Sequence, residues 1–145
     1  MNVREIKNNE LNELLKLYTH LHELGVPEDN EHLRDTWETI CIDPNHHIIV
    51  CEVDGKIVSS CVCVIIPNLT RNVRPYAFVE NVVTHSDYRG KGYASLCLDY
   101  AKSIAENDGC YKMMLLTGSK SDSTLNFYKR AGYNSNDKTA FIQWL

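Results

Sequence analysis

Two β-rich runs joined by a single Asp-Gly pair constrain this chain more than any other feature. The runs are Ile48–Val53 and Lys56–Ile66, and Asp54-Gly55 is all that separates them. A two-residue connection of this type suits a turn with positive φ at both positions, whose twist matches the flanking strands. The pair therefore predicts a β-hairpin.

The rest of the chain supplies partners for that sheet. Residues 2–7 read as a short strand ending at Asn8-Asn9. Leu11, Leu14, Leu15, Tyr18 and Leu21 recur at three- and four-residue steps and predict an amphipathic helix ending near Gly25, with Pro27 beyond it. A second helix is expected over Glu31 to Ile42, with Leu33, Trp37 and Ile40 facing inward. Pro67 to Pro75 reads as a polar loop and Tyr76 to Thr84 as a strand. After a turn-rich link comes a helix marked by Tyr93, Leu96, Tyr100, Ala101 and Ile104, stopping before Gly109. Cys110 to Leu116 reads as a buried strand. Ser121 or Asp122 caps a last helix through Arg130, and Tyr133 to Leu145 fits one or two final strands around a turn near Asn134–Asp137. This order predicts a mixed α/β (α+β) layer fold in one domain over residues 1–145, not a Rossmann alternation.

At 145 residues the chain can bury roughly two-thirds of its unfolded surface and needs neither metal nor disulfides to fold. Fifteen Lys and Arg against 19 Asp and Glu give a net charge of −4, with no basic surplus to mark nucleic-acid binding. No apolar run approaches the ~20 residues that span a bilayer, and the polar N-terminus does not read as a signal peptide, so no membrane partner is expected. The six cysteines form no C-x-x-C pair, and no H-x-x-x-H or H-E-x-x-H occurs, so no metal site is expected. Cys61 and Cys63 sit two apart on one strand, ~7 Å along the chain, which is poor disulfide geometry. Free thiols and a cytoplasmic location are the expectation.

Chemistry concentrates between Glu80 and Ala94. A strand ends at Val82-Val83-Thr84, and Arg89-Gly90-Lys91-Gly92-Tyr93-Ala94 leads into a helix. Glycines there let main-chain N–H groups turn outward, and with the helix dipole and Lys91 or Arg89 they suit a pyrophosphate. Lys91 lacks the frame of a Walker loop, and Ser95 stands where G-x-G-x-x-G needs glycine. Glycines that serve only chain geometry remain the alternative.

Arg89-x-x-Gly92-x-Ala94 after that strand resembles the acyl-coenzyme A signature of the GNAT superfamily of N-acetyltransferases, and Asn126-Phe127-Tyr128 followed by Gly132-Tyr133 agrees with it downstream. The resemblance covers most of the chain and is clearest from Val79 to Tyr133. It implies a central mixed, mostly antiparallel sheet, splayed between its fourth and fifth strands, with helices on both faces. The pantetheine arm of acetyl-CoA would pair with Val82 and Val83 in the gap. Arg89, Gly90, Lys91, Gly92, Tyr93 and Ala94 would wrap the diphosphate. An N–H near Asn81 to Val83 would hold the thioester carbonyl, and Asn126, with Ser123 close by, would contact the cofactor. Tyr128 would be the general acid, against a plain core aromatic as its other reading. Glu80, a carboxylate in an otherwise apolar strand, would be the base, directly or through a water, helped by partial burial, against a residue that only faces solvent. Tyr18, His22, Glu31 and Trp37 sit in the first two helices, which in the family often wall the acceptor pocket, against a core or surface role as the more common reading of each. The implied reaction is acetyl transfer to a primary amine of a small molecule. An acyl-CoA-binding module without catalysis and a protein acetyltransferase are the rivals, and homodimers are common in the family.

Overall fold

The computed structural model describes residues 1–21 and 25–145. The hairpin is present as expected: β2 (His46–Val53) and β3 (Lys56–Ile66) pair antiparallel. Asp54 and Gly55 take φ of 50° and 77°, so both turn residues are left-handed. β1 (Asn2–Glu5) adds to the outer side of β2, and β4 (Tyr76–Thr84) adds antiparallel to β3. β5 (Met113–Leu115) joins β4 in parallel, giving a sheet in the order β1-β2-β3-β4-β5.

Helices cover both faces. Residues of one parity on β2 and β3 (Ile49, Cys51, Cys61, Cys63) pack with Ala77 and Val79 against Cys97, Leu98, Ala101 and Ala105 of α3 (Tyr93–Asn107). The small Cys and Ala side chains on this seam let the helix sit close to the sheet. The opposite parity (Ile48, Val50, Val62) packs against Leu14 of α1 (Leu11–Tyr18), with Trp37 and Ile40 of α2 (Glu31–Ile42) alongside. Each Ile, Val or Leu buried this way contributes roughly 1.5–3 kcal/mol. Asn30 caps α2 by accepting the Leu33 N–H at 3.0 Å, and Ser121 caps α4 (Asp122–Arg130) through Thr124. All six cysteines are free thiols, four of them buried.

Four expectations change. α1 stops at Tyr18 rather than near Gly25, because Thr19, His20 and Leu21 each donate to the carbonyl three residues back and Thr19 Oγ1 also bonds the Lys16 carbonyl. That tight turn cannot continue an α-helix. The stretch the longer helix would have crossed, with His22, lies outside the described residues. Within Pro67–Pro75, Arg71, Asn72 and Val73 form a left-handed turn, with φ of 56°, 57° and 60°. β5 keeps three half-buried residues of the seven expected, because β4 and β5 diverge. The tail from Tyr133 forms no strand. The Asn134 side chain accepts the N–H groups of Asn136 and Asp137, both at 3.1 Å, and the chain beyond runs exposed.

Candidate active site

The pairing of β4 with β5 covers Ala77–Met113, Phe78–Met114 and Val79–Leu115 and then stops. β4 continues for five more residues with, among the described residues, a neighbouring strand on one side only. At the point of divergence the strand is bulged. Val62 opposes Glu80 and Ser60 opposes Val83, which leaves Asn81 and Val82 together across from Cys61. Asn81 takes φ of 51°, a conformation that asparagine tolerates better than most residues. A bulge at this position re-aims the main chain into the gap. His85 N–H donates to the Val58 carbonyl at 2.9 Å, and the Val83 carbonyl accepts Ser59 Oγ at 2.8 Å. By alternation, Val82 and Thr84 present their main-chain groups to the opening. Of the two valines expected to pair with the pantetheine, Val82 is therefore the one whose N–H and C=O face it. An extended ligand carrying amide groups fits such a gap as an added strand would.

Beyond β4 the chain makes one tight turn, Ser86–Tyr88, and reaches Gly90 and Gly92 at φ of 73° and 84°. Nothing lies within 4 Å of where a Cβ would stand on either glycine. They are thus required by the backbone path, and the space over them is open. Gly92 starts α3 with no side-chain cap, and the first helical bond is Leu96 N–H to the Gly92 carbonyl. The N–H groups of Tyr93 and Ala94 are left at the positive end of a fifteen-residue helix, a suitable seat for phosphate oxygens. Arg89 is occupied with the loop itself. Its guanidinium donates to the carbonyls of Thr84 and His20 at 3.2 and 3.1 Å. Lys91 donates to the Asp87 carbonyl at 3.1 Å and lies 5.0 Å from the centre of the Tyr88 ring, with its side chain in solvent.

Tyr128 projects from α4 into the core beneath the sheet, its ring 4.9 Å from that of Phe127 and 6.3 Å from that of Tyr133. Burial pushes its phenol up, and Cys61 and the Glu80 carboxylate push it further the same way. Tyr128, Glu80 and the bulge opposite Cys61 therefore share one neighbourhood. Glu80 itself is exposed, on the α1 face of the sheet, so the partial burial expected of it is not found. Ser123 and Asn126 are exposed on α4.

Tyr18, expected among the residues that wall the acceptor pocket, and two residues that the sequence did not single out, Ser60 and His20, complete the surroundings. Burial pushes the Tyr18 phenol up to about 12, partly offset by the Asn81 and Ser60 side chains beside it. Ser60 Oγ is wholly buried there without a well-formed hydrogen bond. The ring of His20 lies 4.0 Å from that of His85, and its Nδ1 accepts the Ser86 N–H at 3.4 Å, so the end of α1 buttresses the glycine loop. An asparagine inside an apolar strand was the available signal for the bulge. The approach of His20 had none, being set by how α1 lies on the sheet. A separate cavity of about 200 Å³, lined by Trp37, Cys41, His46 and His47 among others, lies near the β1–β2 end of the sheet, away from the gap.

Comparison with known proteins agrees with this geometry. The chain is 32% identical over 84 residues to glucosamine 6-phosphate N-acetyltransferase of Trypanosoma brucei brucei, a match covering 58% of this chain and 55% of that protein. A solved structure from Agrobacterium tumefaciens, provisionally described as an acetyltransferase, superposes with a TM-score of 0.91 at 33% identity, over 99% of this chain and all of that one. The Arabidopsis thaliana glucosamine-6-phosphate N-acetyltransferase structure gives 0.84 at 25% identity, over 99% and 97% of the two chains. The model of the Acetyltransferase (GNAT) family matches residues 11–133, which include the parted strands, the glycine loop and Tyr128. A sheet opened beside a bulge, above an uncapped helix start, is thus the form that this match takes here, and the chain belongs to the GNAT acetyltransferase family.

Proposed function

We propose that the protein transfers an acetyl group from acetyl-CoA to the primary amine of a small molecule, directly and without an acyl-enzyme. The observation that carries this reading is the parting of β4 from β5 after Val79 and Leu115, next to the bulge at Asn81. The gap, the open glycine loop and the uncapped first turn of α3 fit a pantetheine arm and its diphosphate.

Each residue then has a task. Val82 pairs with the pantetheine amides. The N–H groups from Gly90 to Ala94 hold the diphosphate, and Lys91 adds charge there. Arg89 fixes the loop from behind. A main-chain N–H at the bulge holds the thioester carbonyl and stabilises the negative charge it gains, an interaction worth ~3–4 kcal/mol of barrier. Glu80 draws an ammonium to the site and takes its proton, directly or through water. The neutral amine attacks the carbonyl carbon, the C–S bond breaks, Tyr128 gives the departing sulfur its proton, and the second proton of the new amide nitrogen leaves to water, from which the Tyr128 phenolate is reprotonated. The substrates of the glucosamine-phosphate relatives make an amino sugar phosphate the first acceptor to try. Six free thiols suit a reducing, cytoplasmic setting.

The test is release of free CoA thiol from acetyl-CoA across a panel of amino sugar phosphates, aminoglycosides, diamines and a lysine peptide. Turnover is expected on a small amine. Cofactor binding without turnover on any member would leave a non-catalytic module, and turnover on the peptide alone would make the protein a protein acetyltransferase.

A further inference from the structure

The two N-terminal helices cover only part of the sheet face on which they lie. Leu14, Trp37 and Ile40 pack over Ile48, Val50 and Val62 of β2 and β3. On β4, Ala77 and Val79 face α3, so Tyr76, Phe78 and Glu80 point to the opposite face, that of α1. β5 repeats the pattern. Met113 and Leu115 pack under α3, and Met114 lies beside Phe78, so Lys112 and Met114 point the same way as Phe78. Phe78 and Met114 are half-buried, yet among the described residues neither packs into either core. The result is an open strip beside α1. It begins at the Glu80 carboxylate, where β4 and β5 part, runs back along β4, and is apolar in its middle.

The far end of the strip is cationic. Lys112 Nζ lies 5.2 Å from the centre of the Tyr76 ring and 5.4 Å from that of Tyr111, and the Arg71 guanidinium lies 5.7 Å from the Tyr111 ring. The left-handed turn brings Arg71 there. Asn68 Nδ2 donates to the carbonyls of Thr70 and Arg74 at 3.1 and 3.0 Å, and the Arg74 guanidinium donates to those of Gly109 and Cys110 at 3.0 and 3.1 Å. The turn is thereby tied to the segment that leads into β5. A valine at φ of 60° is costly, and strain of that kind persists where the surroundings hold it in place. Among the described residues neither Lys112 nor Arg71 makes an ion pair, although the chain carries a net charge of −4. Two cations gathered on aromatic rings without a counter-ion are complementary to an anion.

We propose that this strip seats the acceptor, with the amine at Glu80 and an anionic group, carboxylate or phosphate, on Lys112 and Arg71. The proposal rests on the acetyltransferase reading and names the acceptor class within it: an elongated amine with an apolar middle and an anionic far end. Tyr76 and Glu80 stand four residues apart on β4, so the two charged ends lie about 13 Å apart along the strand. That span exceeds one sugar ring, so a hexosamine phosphate reaches one end only. Phe78 and Met114 give the middle of a longer acceptor an apolar floor.

Steady-state acetylation by the full chain tests this, with graded series of ω-amino carboxylates and ω-amino phosphates set against n-alkylamines of matching length. The expected kcat/KM is about tenfold higher with the anionic end than without it, with an optimum at chains long enough to reach from Glu80 to Lys112. A gain from either anion supports the proposal, and the larger gain identifies the group. Arg71→Gln/Lys112→Gln should bring the ratio of amino acid to alkylamine close to one. Lys112→Glu should turn the preference towards diamines. A ratio is not moved by partial loss of folded protein, and the length series on the wild type needs no variant at all. Equal turnover of amino acids and alkylamines overturns the proposal and leaves the acetyltransferase reading standing. So does a ratio that survives the double substitution, or a hexosamine phosphate that outruns both series. Turnover of no amine overturns the two together.

Discussion

In the proposed reaction Tyr128 and Glu80 divide the proton traffic between them, and single substitutions test their parts. Tyr128→Phe removes one hydroxyl from a ring that Phe127 and Tyr133 keep in place. The expected result is a fall in kcat of about 10²–10³-fold with CoA affinity unchanged, read from steady-state rates and calorimetry. Burial, Cys61 and Glu80 all hold the phenol above its ordinary value, so the wild type keeps its acid through neutral and mildly alkaline pH. Glu80→Gln behaves differently. The amine must lose its proton by another route, so kcat/KM should fall about tenfold or more at pH 7, and the deficit should close as the pH approaches the acceptor's own pKa. A deficit constant across pH would remove Glu80 from the proton path. Tyr128 was legible in the sequence because a motif marked it. Tyr18 was named for its helix, but its approach to Asn81 was not legible, nor that of His20 to His85, because both depend on how α1 lies across the sheet.

The elements that the sequence specifies well are those whose cause is local. Asp54-Gly55 specifies its turn, Asn30 its helix start, and the alternation through β2 and β3 their two buried faces. What failed depends on distant partners. The spacing of Leu21 continues the pattern of α1, but the tight turn from Thr19 ends the helix first. The tail has the composition of a strand, yet a strand exists only when paired, and residues 133–145 pair with no strand among the described residues. β5 is short because its neighbour leaves it, and that divergence makes the gap. The glycine loop joins these two classes, since its conformation is local and its use is not. Gly92→Ala tests the connection. An alanine at φ of 84° meets no atom within 4 Å, so the substitution strains the backbone by ~1–2 kcal/mol without a clash. CoA affinity should drop about tenfold as the N–H groups at the start of α3 turn away, and the melting temperature should fall by only a few degrees. Unchanged CoA affinity would mean that the loop does not seat the diphosphate.

At the scale of the whole molecule, stability should be confined to a pH window by groups that lie away from the gap as well as near it. Arg4 joins β1 to Glu10 at 2.7 Å and to Glu52 of β2 at 2.6 Å. Its hydrogen bond holds the Glu10 carboxyl below the usual range, against some burial. A depressed carboxyl stabilises the fold above its unfolded pKa of about 4.3, and the stabilisation is lost as pH falls through the folded value. His46 is lowered by burial, so its charged form disfavours the fold and stability begins to decline below about pH 6.5. The alkaline side has the opposite sign. Burial raises the thiols of Cys61, Cys63 and Cys97, the last two to about 12. A raised thiol stabilises fully below its unfolded pKa of about 8.5, and above it the unfolded chain ionises while the folded one does not. At pH 10 this costs about 2 kcal/mol for each thiol. Thermal unfolding under reducing conditions should therefore show a plateau from about pH 6.5 to 8.5, with a steeper fall on the alkaline side because three groups act together. Cys97→Ala should reduce the alkaline slope by about one proton and lower the plateau through the volume it leaves against the sheet. A melting temperature that stays level to pH 10 would mean that these thiols reach water, and the close packing of α3 on β3 from which their raised values follow would be wrong.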